Sequence, residues 1–197
     1  MKKVLSIASM LLITTAMYAG GTKAKELKVN NKISSIEWIG KKVTGQHEGT
    51  IKVKEGLINV EDGNLSNGML VIDMSSIIIT DIKDPETNAK LAGHLNSDDF
   101  FGVENHPTAT LKINSTKKVE GENYIIMADL TIKGHTEKVE IPATIKMEED
   151  KVVAVGEVEI DRTKFGIRYG SGSFFDDLGD KAIYDNFTVK FKVGATS

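Results

Sequence analysis

Apolar and polar residues alternate with period two along most of this chain, the signature of strands that bury one face. Ser34–Val43 reads as a first strand, with Ile36 and Trp38 on one face and Ile39 and Val43 on the other. After Gly45 the row His47, Gly49, Ile51, Val53 opposes a polar row, Glu55-Gly56 reads as a turn, and Leu57–Val60 as a further strand. Met69–Met74 and Ser76–Thr80 are apolar on both faces in places. Beyond Pro107 come Ala109, Leu111 and Ile113, then Asn123–Lys133, which Gly134-His135 turns into Glu137–Met147. That strand has the cleanest pattern: Val139, Ile141, Ala143, Ile145 and Met147 face one way. Pro142, on its polar face, cannot donate to a ladder and marks an edge, a bulge or an irregular pairing. Val152 to Ile160 give the next row, and Phe187, Val189, Phe191 and Val193 the last. About eight or nine antiparallel strands with short turns predict an all-β domain. The expected form is an eight-stranded barrel, which leaves no open edges and has room for one small ligand. A two-sheet sandwich with a filled core is the competing geometry.

The alternation stops between Leu91 and Thr110. Leu91, His94 and Leu95 fall at i, i+3, i+4, one face of a short helix. Asp98-Asp99-Phe100-Phe101 follows, and its composition is mirrored later by Phe174-Phe175-Asp176-Asp177. Of seven phenylalanines, Phe100, Phe101, Phe165, Phe174 and Phe175 lie outside the regular strands. One reading makes them aromatic walls of an apolar pocket with the acids facing water. The other makes them a plug, with the acids as helix caps or turn residues. The aromatic placement favours the pocket, and with it the barrel over the sandwich.

At the N-terminus, Lys2 and Lys3 precede an apolar run to Ala19. The run is shorter than the roughly 20 apolar residues of a spanning helix and predicts a signal peptide over residues 1–19, hence export, with a retained N-terminal anchor as the alternative. Residues 20–32 are polar and read as a flexible lead-in, and residues 33–195 as one domain. Cleavage would take Lys2 and Lys3 and no acid, moving the net charge from −3 to −5. That balance, without a basic block, argues against nucleic acid and anionic surfaces as partners. The absence of cysteine excludes disulfides and thiolate metal sites.

Candidate chemistry is sparse. Arg162 and Arg168 are the two arginines, within seven residues of each other and beside Phe165 and Tyr169. Their guanidinium forks suit a carbonyl or phosphate head group, or pairing with Asp161, Asp176 or Asp177. His47, His94, His106 and His135 show no metal-ligand spacing, and no calcium loop, P-loop, dinucleotide fingerprint or nucleophile elbow is present. A catalytic carboxylate pair could only be assembled from the Asp clusters.

The segments 36-IEWIGKKVTGQHEGTIKVKEG-56, 69-MLVIDMSSI-77, 93-GHLNSDDFFGVENHPTATLKI-113, 130-LTIKGHTEKVEIPATI-145 and 156-GEVEIDRTKFGIRYGS-171 together resemble the YceI-like family of bacterial exported proteins. The resemblance spans nearly the whole chain after residue 33, in order. It implies an extended eight-stranded, lipocalin-like barrel whose apolar tunnel holds an isoprenoid quinone or polyprenyl lipid, with no other cofactor. The loops matching Gly93–Phe101 and Asp161–Ser171 would sit against that tunnel. Trp38, Leu91, His94, Leu95, Phe100, Phe101, Ala143, Arg162, Phe165, Arg168, Tyr169, Phe174 and Phe175 are the expected tunnel and mouth residues, with no catalytic or metal-binding residue. An enzyme using the Asp clusters and a stress-associated partner-binding protein are the rival readings. A membrane-protein partner and a homodimer both stay open.

Overall fold

The computed structural model describes residues 24–197; the expected signal peptide lies outside them. Nine strands and one helix follow in order: β1 (Ala24–Val29), β2 (Ser35–Lys42), β3 (Gly45–Glu61), β4 (Asn64–Ile79), α1 (Pro85–Asn96), β5 (Thr108–Glu120), β6 (Asn123–Ile132), β7 (His135–Glu148), β8 (Lys151–Asp161) and β9 (Ile183–Thr196). Every pairing is antiparallel. The order β3-β2-β9-β8-β7-β6-β5-β4 closes through β3–β4, making an eight-stranded barrel. At 17 and 16 residues, β3 and β4 exceed ordinary strands. At about 3.3 Å per residue they give the barrel its extended form.

Two local readings change. Glu55-Gly56 is no turn: β3 runs straight through it, with a register shift between Val53 and Glu55. The residues of the expected lead-in from Ala24 onward are no loose leader either. β1 pairs with β3 and β9 in the line that β2 continues, so the two form one stave broken at Asn30–Ser34. Leu27, 1% exposed, is among the most buried side chains of the core. The break is closed on one side by the Asn30 amide donating to the Gly194 carbonyl at 2.8 Å, and by the Gly194 amide donating to Ser34 Oγ at 3.1 Å.

Hairpins follow their turn chemistry: Lys133 and Gly134 both hold positive φ, 51° and 78°, as the two-residue connection from β6 to β7 requires. Pro142 marks an irregularity as expected. β7 and β8 pair only from Ala143↔Gly156 to Glu148↔Lys151, and beyond that point the ladder ends although both strands continue. A 3₁₀ turn (Arg162–Phe165) packs against the start of β7, bringing Gly166 against the His135 ring.

Helix α1 begins where Asp84 accepts the Thr87 amide at 2.8 Å and Pro85 occupies the first turn. Asn88 ties it to the end of β4 by donating to the Ile79 and Ile82 carbonyls, both at 3.1 Å. Leu95 is its buried residue. The helix therefore sits over one end of the barrel, together with the β8–β9 connection. The buried interior divides accordingly. One cluster around Leu27, Ile58, Leu65, Tyr124 and Ile145 surrounds the far end, and another around Met74, Leu95, Phe100, Ile160 and Phe165 lies under the helix.

Candidate functional site

The inward rows do not fill the barrel. A cavity of about 240 Å³ runs along it, lined almost wholly by aliphatic and aromatic side chains. Ile36, Trp38, Ile72, Leu111, Val189 and Phe191 line it and are only half-buried, because their inner faces meet empty space rather than neighbours. The two ends differ. At the far end the walls are Ile58, Leu65, Val152 and Ala195, all buried. Under the helix end the lining includes Lys41, Tyr184 and Asn186, which are exposed. The cavity is thus blind at one end and meets solvent at the other. Gly40 lines this neck, and a Cβ built there would meet nothing within 4 Å.

Phe100 organises the helix-end roof. His94 stands edge-on to it at 4.9 Å and edge-on to Tyr169 at 4.4 Å, while the Arg162 guanidinium lies 5.8 Å from the Phe100 ring centre. The loop after α1 holds Phe100 and Phe101 in place. The Phe101 amide donates to the Leu95 carbonyl at 3.1 Å, and Gly102, at φ 56°, donates to the Ser97 carbonyl at 2.8 Å.

Of the residues expected from the sequence, Trp38, Leu95, Phe100, Phe101 and Arg162 line the cavity. The others do not. Ala143 belongs to the far-end cluster, where it packs among its neighbours without lining the cavity. Phe165, 1% exposed, packs inside the roof cluster with Ile132 and Ile160. Leu91 packs beside that cluster, and His94 and Tyr169 prop the roof from outside the cavity. Phe174 and Phe175 are about half exposed, at 45% and 51%, and Arg168 lies over the Phe174 ring at 4.6 Å. The mirrored Asp-Asp and Phe-Phe segments therefore differ: the first contributes to the cavity wall and the second to the outer surface. The alternating rows themselves supply most of the wall, through residues such as Ile72, Ile126, Leu111 and Val158.

Arg162 is held for structure. Its Nε donates to the Tyr184 carbonyl at 3.1 Å, Nη1 to Ile167 at 3.0 Å and Nη2 to Ile183 at 3.0 Å. Its acidic partner is Asp185, 3.6 Å away, and not Asp161, Asp176 or Asp177. Burial lowers the Arg162 pKa, and Asp185 and Asp161 oppose the shift. Burial also pushes the Asp185 carboxyl up, but hydroxyls of Ser171 and Ser173 and the Arg162 charge outweigh it and hold the carboxyl below its usual value. At the rim, His47 Nδ1 lies 2.8 Å from Asp81. Among the described residues no group of three or more His, Cys, Asp or Glu side chains could hold a metal ion. Trp38 Nε1 is buried without a hydrogen-bond partner among those residues.

Comparison with known proteins adds a family and a fold. The sequence model of the YceI-like domain matches residues 27–195. A 98-residue stretch is 31% identical to the UPF0312 protein plu2095 of Photorhabdus laumondii, covering 49% of this chain and 47% of that relative, so the match spans about half the relative's length. The structure of BcnA from Burkholderia cenocepacia superposes with a TM-score of 0.69 at 23% identity, over 85% of this chain and 99% of that one. A polyisoprenoid binding domain from Saccharophagus degradans, implicated in plant cell wall breakdown, gives 0.61 at 14% identity, over 87% and 98%. The Campylobacter jejuni YCEI protein gives 0.56 at 16% identity, over 100% and 93%. At these identities the structural likeness is one of fold.

Proposed function

Because this chain belongs to the YceI-like family, we propose that it binds an amphipathic lipid with its apolar chain in the barrel cavity and its polar end at the helix-end mouth. The observation that carries this reading is the blind, apolar cavity with exposed Lys41, Tyr184 and Asn186 at its opening. Desolvating a hydrocarbon chain supplies the driving force, at about 25 cal/mol per Å² before ordering costs. At about 240 Å³ the cavity is smaller than the roughly 300–1,000 Å³ of sites for drug-sized ligands. It suits a slender chain over a compact ring system, and a long chain would extend past the mouth or push the half-buried wall residues outward.

An isoprenoid quinone or a polyprenyl lipid fits that description, and the polyisoprenoid binding domain that shares the fold supports the choice. With the export signal read at residues 1–19, the site of action is the periplasm, and the role is to store or carry the lipid. The rival enzyme reading would use Asp98, Asp99, Asp176 and Asp177, which are exposed and do not line the cavity. Mass spectrometry of the organic extract from natively purified protein tests the proposal. A lipid with a long apolar chain, near one per protein, is expected. An empty extract, together with no uptake of an added prenylated quinone, would overturn it.

A further inference from the structure

The helix end carries an exposed apolar surface that the cavity alone does not explain. Tyr184, at 54%, is the most exposed of its large side chains, and Val43, Tyr169, Phe174 and Phe175 are each about half exposed. Backbone and side-chain hydrogen bonds gather them into one loop cluster. The Val43 amide donates to the Ala182 carbonyl at 3.1 Å, and the Ile183 amide to the Gly170 carbonyl at 2.8 Å. The Phe174 and Phe175 amides both donate to the Ser171 carbonyl, and Ser173 Oγ donates to Asp185, beside Tyr184. Tyr184 also lines the cavity, so this surface is continuous with the mouth.

Its size and charge narrow the occupant. Five half-exposed side chains of this kind present on the order of 500 Å², short of the roughly 800 Å² per partner of a stable protein interface but ample for shallow burial in a head-group layer. Charges of both signs interleave with them on the β8–β9 connection and the neighbouring strand ends: exposed Lys41, Lys42, Lys164, Arg168 and Lys181 against exposed Asp176, Asp177 and Asp180 and the half-buried Asp161 and Asp185. Neither sign dominates, which fits a surface that itself carries both. Aromatic side chains with polar neighbours are the residues that settle at the boundary between head groups and acyl chains.

We propose that the helix end of the barrel docks on a zwitterionic bilayer through Val43, Tyr169, Phe174, Phe175 and Tyr184, which turns the cavity mouth toward the lipid. The purpose of docking rests on the lipid-binding reading, but docking itself needs no ligand in the cavity. The test is therefore flotation of the protein with phosphatidylcholine vesicles, at low salt and at half-molar salt, beside analytical ultracentrifugation without vesicles. Wild-type protein is expected to float with the vesicles equally at both salt levels. Phe174→Ser/Phe175→Ser, which changes only exposed side chains, is expected to lower the bound fraction at least tenfold while leaving the circular dichroism and the urea midpoint unchanged. Absence of vesicle binding, or equal binding by the variant, would overturn docking while leaving cavity binding untouched. A concentration-dependent dimer that the variant abolishes would overturn it too, by assigning the surface to a second copy of the chain. An empty cavity in a protein that still floats would instead count against the lipid-binding reading alone.

Discussion

The indole of Trp38 lies against the backbone of Gly49, so closely that a Cβ at position 49 would stand 2.7 Å from Trp38 Cζ2 and 1.8 Å from the Ile78 carbonyl oxygen. Gly49 is thus where β3, β4 and the cavity wall meet without a side chain between them. Gly49→Ala must separate β3 from β4 or drive Trp38 into the cavity. A loss of about 1–3 kcal/mol is expected, the usual cost of overpacking. The urea midpoint measures the loss, and emission from Trp38, the one tryptophan, reports the displaced ring.

Arg162→Lys separates the two roles that the sequence leaves open for this side chain, reading a head group and supporting the fold. Its guanidinium donates to three carbonyls of its own chain, and a lysine ammonium cannot reproduce that fork. Stability is expected to fall by about 1–3 kcal/mol, the scale of a buried acceptor losing its charged donor. Affinity for a prenylated quinone and for a matched hydrocarbon should fall alike. A loss confined to the quinone would restore the head-group role.

Ala143 and Leu111 are both inward, but only Leu111 lines the cavity. Ala143→Trp forces an indole into the packed far end, and destabilisation of about 1–3 kcal/mol is expected. Leu111→Trp extends into the cavity that Leu111 lines. It should keep the urea midpoint near that of the wild type while sharply reducing uptake of a prenylated quinone. Unimpaired uptake by a folded Leu111→Trp protein would place the ligand elsewhere.

Asp185 predicts a pH dependence. Its carboxyl is held below the usual value in the folded state despite burial, against about 3.9 in an unfolded chain. A depressed carboxyl stabilises the fold above the unfolded value, and the contribution is lost as pH falls through the folded value. Asp185→Asn should therefore lower the urea midpoint at pH 7. The gap to wild type should narrow as pH falls below about 4. A constant gap from pH 7 to pH 3 would mean that the charge of Asp185 contributes nothing.

The barrel was legible because period-two alternation survives in almost every strand, and the row Val139 to Met147 shows it without interruption. Strand ends were less so. Glu55-Gly56 carries turn residues, yet β4 lies alongside and continues the ladder. A Cβ at Gly56 would meet the Met69 carbonyl oxygen at 2.9 Å and Val29 Cγ2 at 2.7 Å. Those neighbours are remote in sequence and leave no local sign. β1 is hidden by Lys25, Glu26 and Lys28, although Leu27 and Val29 alternate with Glu26 and Lys28 as a strand requires. At the site, aromatic residues outside strands were a poor guide. Phe165 packs within the roof and Phe174 and Phe175 face solvent, while the cavity wall is built largely from ordinary inward positions. The sheet closes into a barrel and not a sandwich, yet these three rings do not line its cavity.

The parting of β7 from β8 has a consequence for the protein's behaviour in a crowded solution. Closing a sheet into a barrel removes the free edges along which chains add to one another. Beyond Ala143 and Gly156 that protection lapses, and two short stretches of strand again lack a partner on one side. Both carry obstacles to a stray strand. Lys138, Glu140 and Pro142 are exposed on β7, and Glu157 and Glu159 on β8. A third strand inserted there would have to set its own side chains among these charges, and at Pro142 it would find no amide to bond. Where this seam lacks hydrogen bonds, charge and proline take over the defence against a stray strand.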